Sequence, residues 1–478
     1  MKKKVFLTGA TGTMGGAAMH YILAHPDRIE LTVLIRDGRR DGDARRRVEK
    51  FEKSGRLKVI HGDLCDAEAM ARGVRDADYV LHVGGMVSPY ADHHPEATRR
   101  VNLGAMRNIV DAVKARPDGG QGVKVVYIGS VAQLGNRAQP YHWGRAGDPV
   151  WPSRYDVYGE TKIAAERIMV ESGIPWWVSL RQTGILSPEI INGASDPITF
   201  HVPVRGVLEW VTAEDSGNLL CNLVLTDLPD TFWKHFYNIG GGRGFRLSNY
   251  EFEQLILGAM NCPPARKVFE PNWFATRNFH GMWYEDSDLL DHYLHFRTIP
   301  DAETYFTMFK AELPWYFSLA RLAPAWIIRK FMKALANRAP LGTLSWVKND
   351  DKGRLDAYFG GKDAWKRIPG WNGMDLSHPS EEAILLDHGY DENKRESEIN
   401  IDDLRSAAEF RGGRCMAADM IPGDLDTPVE WECHAGHRFM ATPRLVLLGG
   451  HWCPECFTSE ADLDSIAERN PFFAQVYR

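Results

Sequence analysis

Thr8-Gly9-Ala10-Thr11-Gly12-Thr13-Met14-Gly15 decides how the first half of the chain reads. Lys4 to Thr8, directly before it, is a short apolar strand, and Gly15 to Ala24, directly after it, has a helical pattern. Glycines at this spacing let the backbone turn tightly and approach a pyrophosphate. The N-terminus of the following helix then faces the phosphate charge. Thr8, Gly9, Thr11, Gly12, Thr13, Met14 and Gly15 are therefore candidates to hold a dinucleotide.

Working outward, Leu31 to Ile35, Leu57 to Ile60, Tyr79 to Val83, Lys124 to Ile128 and Trp177 to Leu180 read as strands. Helical patterns near Ala97 to Lys114 and Tyr155 to Ser172 alternate with them. Such alternation predicts an α/β fold, a Rossmann-type doubly wound parallel sheet. The second strand ends in Arg36, with Arg39 and Arg40 following, where an NAD site usually carries an acid. Cations there suit the 2′-phosphate of NADP, although Asp37 stands one place on. Asp63, in Gly62-Asp63-Leu64, could accept from the adenine amine or cap the next helix. Gly84 and Gly85 end the fourth strand, where a cofactor must pass close to the backbone.

Tyr158 and Lys162 are four apart in one helical pattern, so they share a face. A nearby ammonium favours phenolate and lowers the tyrosine pKa, which suits proton exchange with a C–O group. Ser130 ends the strand Val125 to Ile128 and its Gly129, where a hydroxyl in a doubly wound sheet faces the ligand crevice.

These features, with Asn102-Leu103-Gly104 in the same order, make residues 1–260 resemble the extended short-chain dehydrogenase/reductase superfamily, the epimerase/dehydratase-like group. The resemblance implies that Tyr158 is the acid/base and that Ser130 orients the substrate oxygen. It implies that Lys162 holds the nicotinamide ribose and tunes Tyr158, and that Asn102 lies below the site as a cofactor or structural residue. It also implies a homodimer. Departures are informative. Val131-Ala132 after Ser130 replace the Asp-Glu pair of the dehydratases, and Arg181-Gln182-Thr183-Gly184 replaces a common Arg-Pro start. His82-Val83-Gly84-Gly85 stands where His-x-Ala-Ala is frequent. Arg36 argues against tight retention of NAD, and the arginines after Leu34-Ile35 resemble the acyl-thioester reductase branch.

His142, Trp143, His201 and Trp210 are candidate substrate contacts, set among aromatic residues that suit an apolar molecule. The expected activity is an NADP(H)-dependent oxidoreductase interconverting a carbonyl and an alcohol on a fairly apolar ketone, aldehyde, steroid-like or acyl-derived molecule, with NAD as the other cofactor. An NAD-retaining sugar-nucleotide epimerase and a cofactor-sensing scaffold are the competing readings.

Near the C-terminus, Cys433-x-x-x-His437 and Cys453-Pro454-Glu455-Cys456 form two close ligand pairs that suit structural Zn²⁺. His434 competes as a ligand, and His451 is more distant. Residues 411–478 carry six arginines against ten acids, so this zinc-ribbon-like module is a poor phosphate binder. The whole chain, 478 residues with a net charge of −6, argues equally against nucleic acid as a partner. The cysteine usage, seven in all, suits a reducing cytoplasm and no disulfide framework. No stretch of apolar residues is long enough to span a membrane. Leu313 to Leu335, interrupted by Pro314, Arg321, Pro324 and lysines, reads as an amphipathic helix pair for a peripheral membrane contact or a greasy substrate. The expected division is 1–290 for the dinucleotide-binding part, with a substrate lobe in 185–215 and 240–290. A helical extension and charged linker over 291–410 and the ribbon over 411–478 complete it.

Overall fold

In the computed structural model, residues 2–36, 42–193, 196–315, 317 and 322–477 are described. Asp37, Arg39, Arg40 and Arg321 lie outside them. Seven strands form one sheet: β1 (Lys3–Thr8), β2 (Ile29–Ile35), β3 (Lys58–His61), β4 (Tyr79–His82), β5 (Lys124–Ser130), β6 (Trp177–Gln182) and β7 (His235–Ile239). Their spatial order is β7-β6-β5-β4-β1-β2-β3, and every neighbouring pair is parallel. Strand order reverses between β1 and β4, so the C-terminal ends of these two strands open the crevice where ligands bind such sheets.

The strands are apolar on both faces because helices cover both. Val5 and Leu7 of β1 pack with Met14, Ala18 and Ile22 of α1 (Thr13–Ile22), and with Leu219 and Leu223 of a later helix. Phe6 points the other way, toward Met70 of a helix over Ala67–Val74 and Met106 of one over Pro95–Lys114. In chain order after α1 the main helices are α2 (Gly42–Lys53), α3 (Ala67–Val74), α4 (Pro95–Lys114), α5 (Val157–Val170), α6 (Ala213–Leu225), α7 (Asn249–Ala259), α8 (Ala302–Glu312), α9 (Ala325–Ala336) and α10 (Ile401–Phe410). The sequence pattern does not single out α2 and α3, because α2 is largely polar and α3 is only eight residues long.

The amphipathic stretch near Leu313 resolves into α8 before it and α9 within it. The charged segment 376–410 is mostly irregular until α10, which Asn400 caps through its side chain.

The C-terminal residues do not stand apart. Trp431, Leu445, Val446 and Trp452 belong to the same apolar core as Phe6, Tyr127 and Met169. Two short strands, β8 (Val429–Glu432) and β9 (Arg438–Ala441), pair antiparallel within this module. Its loops cover the outer face of α5: Glu160 accepts from Ser459 Oγ at 2.6 Å, Arg167 donates to the Trp452 carbonyl at 2.5 Å, and Glu171 accepts from Thr442 Oγ1 at 2.9 Å.

Candidate functional site

Gly9 adopts φ +79°, and a Cβ there would come within 2.7 Å of the Gly84 amide nitrogen. A Cβ on Gly15 would sit 2.1 Å from the Gly9 carbonyl oxygen. The loop therefore closes against β4 only because these positions lack side chains. Gly12 is the N-cap of α1 and supplies no side-chain acceptor. The first amides of the helix are left facing a cavity of about 1000 Å³ lined by Gly9, Thr11, Gly12, Thr13, Met14 and Gly15. Arg36, Asp63, Leu64, Gly84 and Gly85 line the same cavity, so a dinucleotide fits the cradle.

Two expected cofactor contacts lie elsewhere. Thr8 is buried beneath the loop, where its hydroxyl meets His82 Nδ1 at 2.9 Å and accepts from the Gly84 amide at 3.0 Å. Asn102 is also absent from the cavity wall. Its amide clamps the backbone of Met86 and donates to Thr161 Oγ1 at 2.9 Å. Both hold the β4 turn in place. Asp63 leaves helix capping to Asp66, which accepts from the amides of Glu68 and Ala69.

Ser130, Tyr158 and Lys162 converge at the ends of β5 and α5 and share the cavity wall. The Ser130 side chain lies beside Tyr158 and favours its ionised form. The Lys162 ammonium donates to the Ile128 carbonyl at 2.7 Å and lies 5.8 Å from the Tyr158 ring centre. Burial pulls Lys162 down to about 8, with Glu166 opposing. Burial pushes Tyr158 up to about 12, against the pull of Ser130. The expected lowering of Tyr158 by Lys162 does not appear: burial dominates, Asp156 and Asp92 add to it, and the side chain is a phenol near neutrality.

Beyond these groups the cavity widens into an apolar chamber walled by Trp210, Phe252, Ile256, Leu257, Met260 and Met332. Trp210 stacks on Phe252 with ring centres 4.5 Å apart. The other three proposed substrate contacts turn away from the cavity. His142 Nε2 and Trp143 Nε1 both meet the Ser380 carbonyl at 3.0 Å, and His201 Nε2 meets that of Leu341 at 2.7 Å. Each serves packing of the extension against the body.

Pattern reasoning missed Glu253, which is 8% exposed yet lines the chamber. Burial raises its carboxyl to about 7, opposed by a bond from Thr199. Among the described lining residues the only Lys and Arg are Lys162 and Arg36.

Also missed was Glu166, one turn after Lys162 and fully buried. It accepts from Gln133 Nε2 at 2.7 Å, Ser179 Oγ at 2.5 Å and Arg181 Nη2 at 2.9 Å. His451 Nε2, from the C-terminal module, completes the set at 2.8 Å. Gln133 in turn accepts from the Ser130 amide at 2.7 Å. The hub thus ties the module to the loop that carries Ser130. No local pattern signals it, because a lone glutamate in a helix ordinarily faces water.

Cys433, His437, Cys453 and Cys456 point their ligand atoms within 4.8 Å of one another. Cys433 and Cys456 sulfurs are 3.7 Å apart, and His437 Nδ1 lies 3.5 and 3.4 Å from the sulfurs of Cys453 and Cys456. A tetrahedral Zn²⁺ with ordinary bond lengths requires edges of about 3.8 Å between sulfurs and about 3.6 Å between sulfur and nitrogen. The cage fits. His434 is outside it, and His451 is committed to Glu166.

Residues 5–189 match the model of the NAD dependent epimerase/dehydratase family. The chain is 24% identical over 175 residues to a UDP-N-acetylglucosamine 4,6-dehydratase (inverting) of Campylobacter jejuni, covering 35% of this chain and 43% of that protein. It is 27% identical over 199 residues to the human 3 beta-hydroxysteroid dehydrogenase type 7, covering 38% and 51%. The chain thus spans about half the length of the curated relatives it matches. Among solved structures, dTDP-glucose 4,6-dehydratase of Bacillus anthracis in complex with NAD superposes with a TM-score of 0.50. The match is 15% identical and covers 70% of this chain and 99% of that one, a likeness of fold.

Proposed function

Through residues 5–189 the chain belongs to the NAD-dependent epimerase/dehydratase superfamily, and we propose that it is an NAD(P)(H)-dependent oxidoreductase interconverting a carbonyl and an alcohol on a largely apolar small molecule. The observation that carries this reading is the continuity of the cavity. The Ser130/Tyr158/Lys162 cluster opens directly into a chamber of mainly aromatic and aliphatic walls, among whose described residues there is no Lys or Arg to meet a diphosphate.

In this reading the glycine loop and α1 hold the pyrophosphate, Asp63 and Leu64 meet the adenine, and Gly84 and Gly85 let the cofactor lie against β4. Arg36, exposed at the end of β2, favours NADP over NAD. The bound dinucleotide supplies or accepts hydride. Tyr158, as a phenol, donates its proton to the carbonyl oxygen while Ser130 holds that oxygen. Lys162 stays anchored at Ile128 and supports the charge left on Tyr158. Trp210 walls the chamber, and Glu253, neutral below about pH 7, offers one polar contact at its side.

The first test is native mass spectrometry with titration of NADPH and NADH. The purified protein is expected to arrive without retained dinucleotide and to bind NADPH reversibly and more tightly than NADH. Arrival with tightly held NAD and no net cofactor turnover would instead favour a sugar-nucleotide epimerase or dehydratase type of reaction. The similarity to the Campylobacter dehydratase speaks for that second reading.

We assign Zn²⁺ to Cys433, His437, Cys453 and Cys456. Four protein ligands leave no open coordination position, so the role is structural. Chelation is expected to speed proteolysis within 411–478 and lower the melting temperature, with NADPH affinity unchanged. Loss of NADPH binding on chelation would refute the separation.

A further inference from the structure

α9 carries two functions on one short helix. Its inner residues Ile328 and Met332 wall the apolar chamber, and Leu335 and Ala336 pack with Phe200, Phe269 and Trp273. Its outer residues are large and apolar where solvent should favour polar ones: Trp326 is 65% exposed, Ile327 45% and Phe331 60%. Phe331 also borders the cavity, so the exposed apolar surface runs continuously into the chamber.

The same outer surface is cationic. Residues 325–336 contain Arg329, Lys330 and Lys333 and no acid. Arg329 is committed to Glu270. Lys330 and Lys333 are exposed and have no ion-pair partner among the described residues. They follow Trp326 at i+4 and i+7, on one stripe, with Ile327 and Phe331 on the adjacent one. Basic residues beside Trp, Ile and Phe on a helix too short to span a bilayer are the pattern of a segment lying in a lipid headgroup layer. Among the described residues no helix is long and apolar enough to cross a membrane.

We propose that α9 docks this protein on an anionic phospholipid surface, so that an apolar substrate enters the chamber from the lipid past Phe331. The entry half of this statement rests on the proposed apolar substrate, and the docking half does not. A second copy of the chain fits this surface less well. A two-fold contact would set Lys330 and Lys333 against their own copies, and the apolar patch of one three-turn helix is small for a stable dimer interface.

The test is flotation of the full-length protein with phosphatidylcholine vesicles, with and without phosphatidylserine. NADPH binding is measured on the same samples as a check of folding and of the cofactor site. The protein is expected to float with the phosphatidylserine vesicles, with a blue shift of tryptophan emission and partial release by salt. Reversing both lysines (Lys330→Glu with Lys333→Glu) should lower partitioning at least about thirty-fold. Trp326→Ser with Ile327→Ser should lower it on both vesicle types, and NADPH affinity should stay unchanged in every variant. No flotation of a protein that binds NADPH overturns the docking proposal. So does flotation indifferent to all four substitutions, or a concentration-dependent dimer that the Trp326/Ile327 variant dissolves without any vesicle binding. Failure to bind any dinucleotide overturns the proposed function instead.

Discussion

Tyr158→Phe is expected to lower turnover by about 10²–10⁴-fold, the range that a positioned proton donor supplies. The phenol is half-buried beside Ser130, and the phenyl ring fills nearly the same volume, so the packing of α5 survives. What disappears is the proton for the substrate oxygen. NADPH affinity should change little. The measurement is single-turnover oxidation of bound NADPH with an apolar carbonyl substrate, beside a titration of cofactor alone. A variant that turns over at near-parental rate would move the proton chemistry to another group and undo the assignment of Tyr158.

Glu166→Ala should have the largest effect on stability, about 3–5 kcal/mol, because it strands the fully buried Arg181 without its counter-charge. That is a large share of the ~5–15 kcal/mol by which domains are stable. Gln133 and His451 lose their shared acceptor in the same step, so the Ser130 loop and the C-terminal module loosen together.

Burial alone would raise the Glu166 carboxyl, but Arg181 and His451 hold it down to about 2, below the ordinary 4.5. The stability it lends is therefore whole above pH 4.5 and drains as the pH falls toward 2. Urea melts of the parent, Glu166→Ala, Arg181→Met and the double variant form a cycle. The double variant should be less destabilised than the sum of the singles, because removing both charges leaves neither stranded. Strict additivity would mean the pair carries no coupling. A melt unchanged by Glu166→Ala would show that the hub does not anchor the module.

The parts of this protein readable from its residues in order are those whose chemistry is local. A strand, a glycine loop and a helix start lie within twenty residues, and backbone geometry alone aims their amides at one point. Tyr158 and Lys162 meet because a helix brings i and i+4 to one face. The cage of Cys433, His437, Cys453 and Cys456 is legible because its two pairs have the short spacings that metal sites use, and each pair needs only a tight turn to close.

Tertiary packing decided the rest. Thr8 and Asn102 carried family-like signals for the cofactor, but the β4 turn uses their hydrogen bonds internally. His142, Trp143 and His201 read as a substrate wall. Instead the extension folds back, and the Ser380 carbonyl meets His142 Nε2 and Trp143 Nε1 while the Leu341 carbonyl meets His201 Nε2. Of the aromatic candidates, only Trp210 reaches the chamber. Glu166 and His451 are 285 residues apart, and Arg181 meets the Gly449 carbonyl across 268. Contacts at such separations depend on which apolar faces share a core, which no periodicity of 2 or 3.6 encodes.

The sequence by itself therefore determined the doubly wound sheet, the glycine loop, the Ser/Tyr/Lys cluster and the Cys/His cage, since each is set by spacing within one or two neighbouring elements. The tertiary structure alone decided the apolar chamber, the Glu166 hub that joins the C-terminal module to the Ser130 loop, and which residues of the amphipathic α9 stay exposed, since each is fixed only where distant segments are packed together and burial sets what their side chains can do.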